Sequence, residues 1–230
     1  MITLVGVGHV FDIGDQVSDV IIQRSPSVVC VELDVARFEA LMTKEVRGSA
    51  PLPYRALAFF QKRIAKKYGQ DVGQEMVAAV QSARQVGAKL AFIDLDSLQV
   101  FQRFWQMMTF KERVKLVFAL LTSVFIPKKT VDEEIRRFED AETEYMEVFA
   151  SEFPSAKKVL IDDRNVHMAT AIRKLNEEYE NIVAVVGDGH IKGLTKLLED
   201  KSPEIIRLKD LRAMEVEGSS VSFSYDIRSE

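Results

Sequence analysis

A chain of 230 residues is long enough for one domain with a full hydrophobic core, or for such a domain carrying a helical insertion. Its composition, 47% hydrophobic and 29% charged, is that of a globular protein, and a formal net charge of −4 leaves no basic excess for neutralising phosphates, which argues against a nucleic-acid partner. The single cysteine, Cys30, has no mate for an internal disulfide, as suits a reducing compartment.

The opening "MITLVGVGHVFD" has neither a basic lead nor a cleavable apolar segment, so it reads as a first strand and not as a signal peptide; the expected location is cytoplasmic. Further apolar runs at 28–33 (VVCVEL), 89–94 (KLAFID) and 182–189 (IVAVVGDG) are rich in Val, Ile or Leu and end in Gly, Asp or Glu, the mark of strands buried on both faces. A weaker strand is expected at 204–208, and 220–227 alternates as an edge strand does.

Between the strands lie helical segments. Residues 73–87 set Met76, Val80, Ala83 and Val86 at helical spacing. The apolar run 114–127 is too short to span a bilayer, which needs roughly 20 such residues, and reads as a buried helix, with a membrane-surface contact as the alternative. A capping box, Thr130 to Glu133, opens a helix with Ile135, Phe138, Tyr145 and Phe149 on one stripe. Residues 162–180 start from an Asp cap and repeat Val166, Ala169 and Ile172.

Strands alternating with helices predict one α/β domain over 1–230: a mixed, mostly parallel central sheet flanked by helices, with a helical insertion or lid over roughly 50–155. Ligands of such sheets bind at the carboxyl ends of the strands. A homodimer is expected because the apolar helices in the middle of the chain need cover.

Two of the three histidines sit in one frame, Gly-x-Gly-His: Gly6, Gly8 and His9 after the first strand, and Gly187, Gly189 and His190 after the strand near 182. Glu32 ends the second strand. If these strands are parallel neighbours, all three side chains lie near one edge of the sheet, and the glycines let the backbone turn sharply and approach a ligand closely. Two imidazoles and a carboxylate form a ligand set for manganese, cobalt or zinc, whose bound water becomes a nucleophile near neutral pH. Glu32 then serves as ligand or as general base; the spacing does not choose between them.

Arg164 and Asn165 stand where a helix opens, and there an arginine holds a substrate carboxylate or an oxyanion. The plainer alternative is a surface salt bridge from Arg164 to Asp162 or Asp163. His167 lacks the glycine frame and reads as an ordinary surface or half-buried histidine. A dinucleotide fingerprint beginning at Gly6 is disfavoured, because Phe11 stands where its third glycine would be.

The segment "GVGHVFDIGDQVSDVIIQRSPSVVCVELDVARFEAL", with Gly6, His9, Pro26, Glu32 and Arg37, closely resembles the first segment of the TraB/PrgY family of pheromone-shutdown proteins, grouped with the GumN and Tiki proteins. The resemblance continues through 73–94, "DDRNVHMA" (162–169) and "VVGDGHIKGL" (185–194). It implies a fold related to erythromycin esterase and the haem-binding ChaN proteins, and a metal-dependent peptidase activity with His9, Glu32 and His190 at its centre and Arg164 as the family arginine. This chain departs from the family at Asp163-Arg164-Asn165, where Glu-Arg-Asp is frequent, and at Asp94-Leu95, where Asp-Arg is common. The reading is a peptidase hydrolysing peptide bonds with metal-bound water, His9, Glu32 and His190 holding the metal, and Gly6, Gly8, Gly187, Gly189 and Asn165 contacting substrate. The alternative is a regulatory protein that binds a peptide or small molecule in the same pocket without cutting it.

Overall fold

The computed structural model describes residues 1–8, 12–43, 73–123, 148 and 150–218. His9, the capping box at Thr130 and the edge strand expected at 220–227 lie outside the described residues.

In chain order the elements are β1 (Ile2–Val7), α1 (Gly14–Arg24), β2 (Val28–Val31), α2 (Val35–Thr43), α3 (Gln74–Gln85), β3 (Lys89–Phe92), α4 (Ser97–Met107), α5 (Phe110–Ser123), α6 (Pro154–Lys157), a π-helical turn (Lys158–Asp162), α7 (Asp163–Glu178), β4 (Ile182–Gly187), α8 (Asp188–Leu197), β5 (Glu204–Ile206) and α9 (Leu208–Gly218). The strands form one sheet in the order β3-β2-β4-β1-β5. Every pairing is parallel, so among the described residues the expected mixed sheet is a purely parallel one. The physical reason is that each strand returns through a helix, as a parallel connection requires.

Strand alternation sorts the core into two layers. Val5 and Val7 of β1, Val29 and Val31 of β2, and Val183 and Val185 of β4 face α1, α3 and Leu211 of α9. Ile2 and Leu4, Val28 and Cys30, and Ile182, Ala184 and Val186 face the other way, onto Met168, Ala169 and Ile172 of α7 and Ile191 and Leu194 of α8. Burial on both faces explains why β1, β2 and β4 read as unbroken apolar runs. Cys30 belongs to the second layer, where burial pushes its thiol pKa up to about 12 and leaves it an inert core residue.

A smaller cluster joins Phe104 and Met108 to Ala156 and Val159, packing α4 against α6 and the π turn. Its anchor is a capping box that the sequence reading passed over. Thr109 donates through its backbone N–H (2.7 Å) and hydroxyl (2.9 Å) to Glu112, whose own N–H returns to the Thr109 hydroxyl at 3.3 Å. The Glu112 carboxylate also accepts from the backbone N–H of Ser155 (2.9 Å) and from its hydroxyl (3.0 Å), so one buried side chain caps both α5 and α6.

Three helix expectations change. The buried helix expected at 114–127 exposes Val114, Val117 and Phe118 together with Phe110, while Leu116 packs inward. Val166 is exposed and Met168 takes its place in the core. No Asp cap opens the helix at 162: the chain is already helical from Pro154, and the Asp163 N–H donates to the Lys158 carbonyl across the π turn. Among the described residues no helix is long and apolar enough to cross a membrane.

Candidate functional site

The sheet order places β4 between β2 and β1. The helices after β1 and β4 lie on opposite faces, α1 on one and α8 on the other, so the carboxyl ends of these adjacent strands form a topological switch point. Glu32 follows β2 there, and its N–H donates to the Val185 carbonyl at 3.1 Å. It shares the strand parity of Val28 and Cys30, which directs its side chain toward the face covered by α7 and α8. Those two helices deliver Arg164, Asn165 and His190.

The geometry is tight. Glu32 Oε2 accepts the Gly187 N–H at 2.6 Å, and Oε1 accepts from the Arg164 guanidinium. The same Oε1 faces His190 Nε2 at 3.5 Å. On the other side of the ring, Nδ1 meets Asn165 Oδ1 at 2.7 Å. An amide oxygen only accepts, so Nδ1 carries the hydrogen, and in the neutral imidazole Nε2 holds the lone pair. A lone pair facing a carboxylate is repulsive unless a proton or a cation stands between them. Glu32, Asn165 and His190 are all buried.

Arg164 does not reach Asp162 or Asp163, the partners expected for a surface pair; Lys157 takes Asp162, and Lys158 and Arg103 take Asp163. It spans the site instead. Its Nε and an Nη hydrogen-bond the two oxygens of Asp94 at 2.9 and 2.6 Å, a further Nη reaches the Leu160 carbonyl at 3.2 Å, and the second hydrogen of the first Nη goes to Glu32. With four of its five N–H groups used, it has little left for a substrate carboxylate. Its helix start is also no open anion site, because the π turn already pairs the first N–H of α7. Arg164 therefore positions Glu32.

The ion chain extends further. Asp94 also receives Arg37, whose Nε bonds Asp34 at 2.8 Å, and Asp34 in turn caps the Arg37 N–H at 2.8 Å and accepts from the Ser97 N–H at 3.1 Å. Glu32, Asp94 and Asp34 thus alternate with Arg164 and Arg37. Three carboxylates against two guanidiniums leave one net negative charge when His190 is neutral. Burial alone raises the Glu32 pKa, but the Arg164 charge, the Gly187 N–H and, when Nε2 carries a proton, the His190 contact outweigh it and hold the carboxyl well below the ordinary range. The Arg164 guanidinium is correspondingly shifted up, against its desolvation, by Asp94 and Glu32.

The glycines of the two frames make room for protein groups. A Cβ on Gly6 would overlap the carboxylate of Asp188, which accepts from Arg207 Nε (2.9 Å), an Arg207 Nη (2.6 Å) and the Leu208 N–H (2.9 Å). A Cβ on Gly187 would come within 3.3 Å of Glu32 Oε2. Only Gly189 faces open space among these three. Gly8 is half-buried at the end of the described stretch, and Asn165, expected at the substrate, is turned onto His190. The sequence reading did not include Asp34, Asp188 or Arg207, and it treated Asp94 only as a family position. The available signal was that β3, like β2, ends in a carboxylate.

The model of the TraB/PrgY/gumN family matches residues 1–202, which takes in β1 through α8 and every member of the ion chain. The chain belongs to the TraB/PrgY/gumN family. Among its family relatives is an uncharacterized protein of Methanocaldococcus jannaschii, MJ1365, which is 30% identical over 211 residues. That alignment covers 86% of this chain and 53% of the relative, so the chain spans about half the length of the protein it matches.

Two donors have the spacing that ligands of the implied metal would need, and the Arg164 guanidinium already contacts one of them. Ligands on a tetrahedral ion with bonds of about 2.1 Å stand roughly 3.4 Å apart, close to the 3.5 Å between His190 Nε2 and Glu32 Oε1. The Asn165 contact to Nδ1 is the kind of outer hydrogen bond that orients metal-binding histidines. Among the described residues no group of three His, Cys, Asp or Glu side chains is placed to hold a metal ion, and the third expected ligand, His9, lies outside them.

Proposed function

We propose that this protein is a metal-dependent hydrolase acting on peptide bonds, with His190, Glu32 and His9 as the protein ligands of a manganese, cobalt or zinc ion. The observation that carries the reading is the buried imidazole–carboxylate pair at the strand ends, 3.5 Å apart and oriented from behind by Asn165. An ion held there supplies a polarised water whose pKa falls toward neutrality. The remaining work belongs to the chain. Asn165 fixes the tautomer that leaves His190 Nε2 available. Glu32 has Oε2 occupied by Gly187, and its Oε1, facing both His190 and Arg164, would hold the ion in place of the Arg164 contact. Gly189, beside the histidine, has open space where a side chain would stand.

The test is elemental analysis of the full chain purified without an affinity tag. The expected result is about one metal per chain in the wild type, lost in His9→Ala and in His190→Ala while circular dichroism shows both still folded. Peptide cleavage should then stop with a chelator and return with added ion. Absence of metal from the wild type even after reconstitution would sink the reading. A second reading, a regulatory protein that binds a peptide or small molecule without cutting it, is favoured by the Arg164 contact, which satisfies Glu32 Oε1 without an ion. It predicts ligand binding indifferent to chelator and no turnover.

A further inference from the structure

We infer that Asp94 is a positioning residue that sets the cation affinity of the Glu32–His190 pair by dividing Arg164 between two carboxylates. The inference rests on the metal reading proposed above. Arg164 donates to Glu32 Oε1, the oxygen that faces His190 Nε2. A guanidinium there occupies the carboxylate lobe that a metal ion needs. Asp94 pulls the other way, taking two of the guanidinium hydrogens at 2.9 and 2.6 Å with a side chain that is 1% exposed. Arg37 shares Asp94 Oδ2 with Arg164 and thereby weakens that pull. Arg164 is thus an internal competitor of the cation, and Asp94 and Arg37 set how strongly it competes.

Charge and geometry give the same sign for every change. Asp94→Asn removes one negative charge and releases Arg164 onto Glu32, so a cation binds less well. Arg164→Gln removes the competitor and leaves the buried cluster more negative, so a cation binds more tightly. Arg37→Met leaves Asp94 to Arg164 and the Leu95 N–H, draws the guanidinium away from Oε1 and also tightens binding. Arg37 is one-third exposed, which makes this variant the one that best tolerates the change. A residue that served only to hold the fold together would weaken the site in all three variants.

The experiment is isothermal calorimetry of Mn²⁺ and Zn²⁺ on the full 230-residue chain, with circular dichroism as the folding control and His190→Ala as the site control. The expected outcome is a dissociation constant raised about tenfold or more by Asp94→Asn and lowered by a similar factor by Arg164→Gln and Arg37→Met, as for one unit charge added or removed within a buried cluster. Should the wild type bind in a His190-dependent way while the three variants all weaken binding, or leave it unchanged, the role assigned to Asp94 is overturned and the metal reading stands. If neither the wild type nor Arg164→Gln binds either ion, both are overturned. If Arg164→Gln and Asp94→Asn fail to fold, Arg37→Met decides: tighter binding supports the balance, and unchanged or weaker binding overturns it.

Discussion

Each Gly-x-Gly-His frame opens with a glycine whose missing side chain is replaced by a carboxylate from elsewhere: Asp188 above Gly6, and Glu32 above Gly187. The first frame therefore supports the second directly, since Asp188 is a member of the sequence GDGH. Gly6→Ala should displace the Asp188 carboxylate from Arg207 and crowd Ile191, lowering stability by about 1–3 kcal/mol in thermal or denaturant unfolding. The cost should shrink when Asp188→Ala is made in the same chain, because the clashing atoms are then gone; strictly additive losses would refute this account. The frames themselves were legible in the sequence because each is four residues long and each follows a strand. Asp94 was not legible as a partner of Arg164, nor Arg37 as a partner of Asp94. These pairs join residues 70 and 57 positions apart, and only the order in which the strands assemble brings them together.

Among the elements, the capping pattern was incomplete as a locator. Thr109-x-x-Glu112 and Thr130-x-x-Glu133 satisfy the same pattern, and nothing in either tetrapeptide foretells that Ser155 completes the first. Its buried carboxylate is pulled upward by desolvation but held below the ordinary range by the N–H and hydroxyl donors of Thr109 and Ser155. A depressed folded pKa stabilises the protein above the unfolded value, and that stabilisation fades as pH falls through the folded one. Glu112→Gln should therefore cost about 1–2 kcal/mol near pH 7, with the gap to wild type narrowing below about pH 4. A gap that stays constant from neutral pH to about pH 3 would show that the charge contributes nothing. Helix α3 was read correctly because Met76, Val80 and Ala83 all turn onto one sheet face. The start of α7 was placed correctly but its cap was not, because an Asp-Asp pair looks like a cap from sequence, whereas the π turn carries the helical chain straight through it.

On the scale of the whole molecule, the apolar runs announced the strands but not their order, which depends on which helix covers which face. β4, late in the chain, inserts between β2 and β1, and that insertion brings Glu32 beside the second histidine frame. The family match ends at residue 202, yet β5 pairs with β1 through Thr3–Glu204, Leu4–Ile205 and Val5–Ile206. The Arg207–Asp188 contact then ties this last segment to the helix that carries His190. Truncation after residue 202 should leave β1, apolar on both faces, as an open sheet edge. The expected result is aggregation seen by size-exclusion chromatography and a lower unfolding temperature; a truncated chain as stable as the parent and with the same elution profile would show that β5 is dispensable.

The π turn at Lys158–Asp162 gives the protein an unusual tolerance of a change in length. Such a turn takes up one residue more than the α-helix it interrupts, and successive α-helical residues are separated by about 100° around the axis. Loss of any one codon between 158 and 162 would let the helix from Pro154 run on regularly and would leave Arg164 and Asn165 on the same side of the axis, toward Glu32 and His190. Loss of a residue from an uninterrupted α-helix has no such slack and would swing every later side chain by about 100°. The turn is thus a reserve of one residue just ahead of the site, able to absorb a deletion without turning the site's side chains away.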